Sequence, residues 1–198
     1  MAISPRPWGI PWSTNCERVS IAAALAGAEV DWTLVTFDDR TLIEELSGQK
    51  GVPIAELDGK IVVGSLAIVG RIAPLLWPAD PRTRALVDTF LEWFDRVWLQ
   101  PLGVLWRDHD EDRKARAAKR LDRSVDRFEA LLEDDYLFGE LSVADVAAYP
   151  FLKYATDANP EDDYDIHEIM RRSLSVDGRP RVAAWLERVA ALPLARLG

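Results

Sequence analysis

The sequence contains a single cysteine, so no disulfide can form within the chain, and the disulfide framework of small extracellular proteins is excluded. No apolar run approaches the roughly 20 residues of a membrane-spanning helix. The N-terminus also lacks a basic segment followed by an apolar stretch, which is the pattern of a secretion signal. We therefore expect a cytoplasmic protein that has no membrane partner.

The sequence also lacks an excess of positive charge. It contains 24 Lys and Arg residues against 33 Asp and Glu residues, which gives a formal net charge of −9. Because a nucleic-acid surface needs clustered Lys and Arg to replace phosphate counterions, we expect no nucleic-acid partner. Hydrophobic residues, in contrast, make up 48% of the chain. This is enough for a substantial core in one domain or in two small ones.

The pattern around residue 58 predicts a β-hairpin. Ile54–Leu57 and residues 61–63 are short apolar runs, and Asp58-Gly59 between them supplies the positive backbone dihedrals that a hairpin turn needs. Pro53 opens the first strand. A proline at a strand entry is either a tolerated edge residue or a cis proline that turns the backbone of Val52 outward.

Two predicted helix starts carry hydroxyl side chains. Ser65 stands directly before apolar residues with helical spacing, at the position of a helix N-cap. Thr14 and Glu17 match a capping box, and Ser13 lies just before them at the positive end of the helix dipole. Ser13 and Thr14 therefore either only cap the helix or help its free N–H groups to stabilise a bound thiolate.

Cys16 lies in the first turn of the same predicted helix. A thiol at a helix N-terminus has a lowered pKa in some proteins, which would make Cys16 reactive. The favoured interpretation is that Cys16 is a small buried apolar residue. Asn15 is a further candidate, either as a hydrogen-bond donor to a thiol or as a helix cap.

The pattern of residues changes near the prolines at positions 78 and 81. We place a domain boundary there, with one domain over residues 1–77, a linker over 78–82 and a second domain over 83–198. The first domain should contain a strand within residues 1–12, which three prolines keep short or irregular, and a second strand over residues 29–36.

The second domain is predicted to be entirely helical, because its long segments have a 3.6-residue period. Pro101 should end or kink the first of these helices. Another helix is expected from residue 108 to Leu132, and Ser142 with Asp145 matches a capping box at a later helix start.

Two acidic clusters invite a metal interpretation, but neither has a recognisable ligand pattern. Acidic residues in the first turn of a helix favour its dipole, which accounts for residues 108–112. Residues 161–167 are interpreted as a solvated loop. We expect no bound metal.

Three segments together resemble the glutathione transferase superfamily. They are Ser13-x-x-x-x-Arg-Val, then Val52-Pro53 with the hairpin and Ser65, and Leu137-Phe-Gly-Glu-Leu-Ser-Val-Ala-Asp145. The resemblance spans nearly the whole chain. It implies an α/β thioredoxin-like domain followed by an all-α helical domain, with the active site in the crevice between them. It also implies that glutathione, or another low-molecular-weight thiol, is a cosubstrate and that the chain forms a homodimer.

The resemblance assigns roles to residues of the first domain. Pro53 would be cis, the backbone of Val52 would pair with the cysteinyl part of the thiol, and Ser65 would hold its γ-glutamyl group. Ser13 would donate a hydrogen bond to the thiol, as in serine-class members. Gly64 departs from the family pattern, in which an acidic or amide residue precedes the serine.

Other candidate residues would line the site. Lys50, whose order with the following glycine is exchanged relative to many family members, either meets a carboxylate of the thiol ligand or is simply solvated. The electrophile would lie against aromatic side chains, for which Trp12, Trp98, Trp106 and Tyr154 are candidates. Each of these aromatic residues can instead belong to the core.

Three functions are consistent with the residues. The first is an enzyme that activates a glutathione-like thiol for conjugation to, or isomerisation of, a small hydrophobic electrophile. The second is a non-catalytic binding or scaffold protein of the same fold, which Gly64 favours. The third is a thiol–disulfide reductase that uses Cys16.

Overall fold

The structure is a computed structural model that describes residues 5–156 and 164–193. These residues form two compact units. The first unit comprises residues 5–77 and 191–193, and the second comprises the described residues of Pro78–Ala190. The first unit combines a mixed sheet with helices and the second contains helices, which confirms the predicted α/β domain followed by a helical domain.

The sheet of the first unit has four strands in the order β2-β1-β3-β4. They are β1 (Arg6–Gly9), β2 (Thr33–Leu34), β3 (Ile54–Leu57) and β4 (Lys60–Val63). The β1 strand pairs with β2 in parallel and with β3 antiparallel, and β3 pairs with β4 antiparallel. As expected from its prolines, the first strand is short, although it lies between two neighbours.

The second strand is much shorter than predicted. Only Thr33 and Leu34 pair with β1, opposite Trp8 and Gly9, whereas the alternating pattern predicted a strand over residues 29–36. The prediction was wrong because a strand extends only as far as its neighbour supplies backbone partners. Since β1 ends at Gly9, opposite Leu34, this limit accounts for the C-terminal end of β2.

The β3–β4 hairpin is confirmed. Its register pairs Leu57 with Lys60, and the two turn residues Asp58 and Gly59 have φ values of 52° and 72°. Two consecutive residues with positive φ are the geometry of the tight turn that matches strand twist. The hairpin leads directly into the helix that carries Ser65.

The helices of the first unit are α1 (Thr14–Leu25), α2 (Thr41–Ser47) and α3 (Ser65–Ile72), followed by a 3₁₀ turn over Pro74–Leu76. Gly48 ends α2 with a φ of 72°, as expected for a glycine just past the last helical turn. Helices α1 and α3 pack against each other. This packing brings their N-terminal ends close enough for side chains to form hydrogen bonds.

In the described part of the second unit the helices are α4 (Pro81–Phe94), α5 (Gln100–Arg107), α6 (Glu111–Leu131), α7 (Val143–Leu152), α8 (Asp165–Ser173) and α9 (Pro180–Ala190). A π-helical turn, Asp95–Leu99, joins α4 to α5, so the chain stays helical through Pro101, which was predicted to end or kink the helix. The change from α-helical to π-helical hydrogen bonding comes directly before this proline, which has no backbone N–H group to donate.

The predicted capping box at the start of α7 is confirmed. The Ser142 hydroxyl accepts a hydrogen bond from the backbone, and the Asp145 carboxylate accepts one from the Ser142 N–H group. The acidic segment over residues 161–167 lies partly outside the described residues. Its last part begins α8, and His167 is buried rather than solvated, with its ring stacked on Tyr154.

Candidate functional site

The start of α1 carries Ser13 as its N-cap, and not Thr14 as the capping-box pattern predicted. The Ser13 Oγ atom accepts a hydrogen bond from the Cys16 N–H group at 3.4 Å. The prediction placed the cap one residue too late, because both hydroxyl residues fit the spacing and only the backbone dihedrals of Ser13 are extended. Ser13 is half-buried.

Cys16 lies on the inner side of the same turn and is fully buried. Burial raises the pKa of its thiol to about 11, against the smaller opposite effects of hydrogen bonds from Ser13 and Ile10. At neutral pH the group is therefore a thiol and not a thiolate. Its surroundings match the interpretation of Cys16 as a small apolar core residue.

The start of α3 differs from the prediction, because Ser65 is the first helical residue and Gly64 occupies the N-cap position. Gly64 has φ 92° and ψ 139°, a conformation that side chains other than hydrogen rarely allow. No side chain caps this helix. Its first N–H groups, which are the positive end of the dipole, are therefore left for a ligand or solvent.

Arg18 connects the two helix starts. Its side chain is buried, with 2% of its surface exposed. The guanidinium donates hydrogen bonds to Asn15 Oδ1 at 2.9 Å and to Ser65 Oγ at 3.4 Å. Ser65 Oγ also lies 3.5 Å from Asn15 Oδ1, as a long hydrogen bond. We call Asn15, Arg18 and Ser65 the Arg18 network.

The Arg18 network fixes the orientation of the Asn15 amide. A guanidinium has only donors, so the oxygen of Asn15 must face Arg18. The NH₂ group must then point away, and among the described residues it has no hydrogen-bond partner. The NH₂ group of this half-buried residue is therefore a candidate donor to a ligand.

The Val52–Pro53 peptide bond is cis, as the resemblance implied. The carbonyl oxygen of Pro53 accepts a hydrogen bond from the Gly64 N–H group at 3.1 Å, which places this bond beside the start of α3. Lys50 is exposed and forms an ion pair with Glu44 at 3.3 Å. The structure thus brings Ser65, Asn15 and the Val52–Pro53 bond to neighbouring parts of the first unit.

The candidate aromatic residues divide between the two units. In the first unit, Trp12 is half-buried and its ring lies 5.7 Å from that of Phe37. The others belong to the second unit, where Trp106 is half-buried with Arg107 over its ring. Trp98 is completely buried against Phe94, and Tyr154 is 4% exposed. Both side chains are therefore used largely for packing within the helical core.

Arg18 is the main residue of this region for which the sequence predicted no contact. It served only to place Ser13 in the family pattern. Its partner Ser65 lies 47 positions away, so no local spacing relates them. A weak signal existed, since an arginine followed by valine on the apolar face of a predicted helix implies a buried, paired charge. Among the described residues no cluster of His, Cys, Asp or Glu is arranged to hold a metal ion. No described helix is both long and apolar enough to cross a membrane.

Models of the glutathione S-transferase N-terminal and C-terminal domains match residues 8–74 and 111–188. The chain belongs to the glutathione S-transferase family. Maleylacetoacetate isomerase of Mus musculus is 33% identical over 150 residues, which are 67% of this chain and 69% of that protein. Glutathione S-transferase L1 of Arabidopsis thaliana is 24% identical over 182 residues, 87% of this chain and 72% of that protein.

Solved members of the family share the fold. A Tau-class glutathione S-transferase of Mangifera indica superposes with a TM-score of 0.81 at 18% identity, covering 98% of this chain and 92% of the other. A rice glutathione transferase in complex with glutathione superposes with a TM-score of 0.79 at 22% identity, covering 97% and 88%. The family places the Arg18 network in the thioredoxin-like domain.

Proposed function

We propose that this chain binds glutathione or a similar low-molecular-weight thiol in its first unit and activates it for reaction with a small hydrophobic electrophile. The observation that carries the proposal is the Arg18 network, which joins the starts of α1 and α3 around the residue expected to hold the γ-glutamyl group. It supplies one buried positive charge and two polar groups at a point where two helix N-termini meet.

The γ-glutamyl group would bind at Ser65. Its carboxylate would accept hydrogen bonds from the free N–H groups at the start of α3 and from the NH₂ group of Asn15. The charge of Arg18 lies behind both residues and would favour the anion without a direct contact, while it keeps Ser65 and Asn15 in place. The backbone of Val52 would pair with the cysteinyl part of the thiol.

Ser13 would activate the thiol. Its oxygen accepts a hydrogen bond from the Cys16 N–H group, and its hydroxyl hydrogen, which can also face the buried Cys16 sulfur, would turn to a bound thiol. A thiolate beside this hydroxyl would be stabilised relative to the thiol, and the released proton would pass to solvent. The thiolate sulfur would then form a bond to the electrophilic carbon and either displace a leaving group or add and leave again after isomerisation.

Both outcomes occur among the relatives by name, since one is a glutathione S-transferase and another is an isomerase. We infer the serine-class mechanism from Ser13 and the homodimer from the family resemblance. A cytoplasmic location is part of the same proposal. Lys50 would contribute to binding only after it exchanged its ion pair with Glu44 for a ligand carboxylate.

A non-catalytic binding protein of the same fold is the second candidate, and Gly64 favours it. The backbone at Gly64 disfavours any residue with a side chain, so the acidic or amide contact to the thiol is missing. The reductase hypothesis is disfavoured, because the thiol of Cys16 is buried and its pKa is raised.

Calorimetric titration with reduced glutathione tests the proposal. We expect millimolar or tighter binding by the unmodified protein and at least a tenfold weaker affinity for Ser65→Ala, which loses a charge-assisted hydrogen bond. Ser124→Ala is the matched control, since Ser124 and Ser65 are both 7% exposed but Ser124 bonds only to a backbone carbonyl of α6. Absence of binding, or equal losses in both variants, contradicts the proposal.

A further inference from the structure

Helix α6 carries all five of its arginines on one side. Five of its arginines are exposed and follow alternating spacings of three and four residues: Arg113, Arg116, Arg120, Arg123 and Arg127. At about 100° per residue they lie within a sector of about 80°, and they extend over about 21 Å. We call these residues the arginine stripe.

The other two sides of α6 are accounted for by the rest of the second unit. Its apolar side is buried and includes Leu121, Val125 and Phe128. Its acidic side is paired with the start of α9, where Arg179 bonds to Asp122 and to a second aspartate, Asp126. Glu129 on the same side accepts hydrogen bonds from two backbone N–H groups of α9. The acidic side is therefore occupied within the chain.

Within the described part of the chain, the arginine stripe forms few ion pairs. Arg113 pairs with Asp108 at 3.1 Å. For the other four arginines, no ion pair or hydrogen bond to a carboxylate occurs within the described part of the chain. Like charges three or four residues apart destabilise a helix. A solvated helix needs no such arrangement, and a chain of net charge −9 has enough carboxylates to mix the signs.

We propose that the arginine stripe is a docking surface for an acidic helical segment of another protein. The alternating spacing of three and four residues is the repeat with which two helices stay in contact along their length. A partner helix with carboxylates at the same spacing would face each arginine in turn. Guanidinium groups favour carboxylates because they form two parallel hydrogen bonds with them.

Other anions fit less well. Nucleic acid and anionic lipid surfaces present negative charges over an area larger than one helix, so they would also face the carboxylates that give the chain its net charge of −9, whereas a single acidic helix meets only the arginine stripe. A membrane-surface helix also needs an apolar side that faces the lipid. The apolar side of α6 is instead buried in its own unit.

The test uses fluorescence anisotropy of an alanine-rich helical peptide of about 21 residues with glutamates at alternating spacings of three and four. The competitor is a peptide of the same composition in scrambled order. The full chain is compared with a variant that carries Arg116→Gln, Arg120→Gln and Arg123→Gln. The matched control removes three exposed charges elsewhere, with Lys60→Gln, Arg71→Gln and Arg82→Gln.

We expect the patterned peptide to bind at about 50 mM salt, the stripe variant to bind about tenfold more weakly or worse, and the control variant to lose less than twofold. Circular dichroism should show that both variants are folded. Equal binding of the scrambled peptide, or equal losses in the two variants, would overturn the proposal. Tighter binding of single-stranded DNA or of anionic phosphatidylserine vesicles than of the peptide would do so too. A changed sedimentation coefficient of the stripe variant alone would assign the stripe to a second copy of this chain and would also overturn it.

Discussion

Each unit of the chain contains a buried polar network, and the two networks differ in how they are closed. In the second unit the Asp145 carboxylate accepts four hydrogen bonds: from Leu137 N at 3.0 Å, Ser142 N at 2.9 Å, Ser142 Oγ at 3.3 Å and Trp185 Nε1 at 2.8 Å. Asp145 is 0% exposed. In the first unit the Arg18 network ends in Asn15, whose amide donors have no partner among the described residues and which is half-buried.

The Asp145 network and the Arg18 network are therefore expected to have different roles. A network in which every donor and acceptor is used inside the protein holds elements together and offers nothing to a ligand. A network with a free donor at its edge is stable only because water takes that position in the free protein, and a ligand replaces the water. The Asp145 network should therefore affect stability, and the Arg18 network should affect binding.

The largest expected effect is that of Asp145→Ala. The substitution leaves buried donors of Leu137, Ser142 and Trp185 without an acceptor, at a cost of roughly 1–3 kcal/mol each when fully unmet. Partial relaxation makes a total loss of about 3–5 kcal/mol in the free energy of unfolding the expected result. Urea denaturation followed by tryptophan fluorescence measures it.

The control for this prediction is Asp145→Asn, which keeps one acceptor oxygen in a side chain of the same shape. It should lose less than the alanine variant. If both substitutions lower the free energy of unfolding by less than about 1 kcal/mol, the proposed difference between the two networks is contradicted. The Asp145 network would then contribute no more to stability than an average surface position.

The second-largest expected effect is a dependence of the free energy of unfolding on pH, which is caused by Asp145. Burial raises the pKa of Asp145 to about 6, although its four hydrogen bonds oppose the shift. In the unfolded chain the carboxyl group of Asp145 has a pKa of about 3.9. Between pH 4 and 6 the folded chain therefore binds more protons at this group than the unfolded chain does. This contribution to stability is complete below pH 4 and is lost as the pH rises through 6, with an amplitude of about 2–3 kcal/mol.

Urea titrations at intervals of about one pH unit measure this dependence. The comparison is with Asp145→Asn, whose side chain does not ionise. The difference between the two curves should slope downward from pH 4 to about 7 and then become flat. An opposite slope would mean that the four donors outweigh burial and hold the pKa of Asp145 below its usual value.

The parts of the fold that could be predicted from the sequence depend on short-range chemistry. Asp58-Gly59 predicts its own turn because few other residues adopt two positive φ values in succession. Ser142 and Asp145 predict a helix start because both partners of the box lie within four positions. The C-terminal end of β2 was not predictable, since it depends on where β1 ends, more than twenty residues earlier.

The candidate site shows the same limit. Ser13, Ser65 and Pro53 were found through the family pattern, whereas the contact of Arg18 with Ser65 depends on how α1 packs against α3. Ser65 fits a cap position in the sequence, but the positive φ of Gly64 makes Ser65 the first helical residue. The backbone conformation of one residue thus decides which residue begins the helix.

The smallest expected effect separates the two roles of Ser13. Its hydroxyl caps α1 through the Cys16 N–H group, and the same hydroxyl is proposed to donate to a bound thiol. Ser13→Ala should cost about 1 kcal/mol of stability and also reduce turnover. Ser13→Gly keeps most of the cap's stability, because glycine at an N-cap costs only a few tenths of a kcal/mol relative to serine, and it leaves no side-chain donor for a thiol.

Turnover of the glycine variant with reduced glutathione and a small aryl halide distinguishes the roles. If Ser13 activates the thiol, Ser13→Gly should lose at least tenfold in kcat while its urea midpoint stays near that of the unmodified protein. Thr14→Ala should change neither quantity, because Thr14 is not the cap. Full turnover in Ser13→Gly would limit Ser13 to the role of a cap. The thiol would then have to be activated by the helix N-terminus alone, while the Arg18 network, to which Ser13 does not belong, would keep its proposed role in binding.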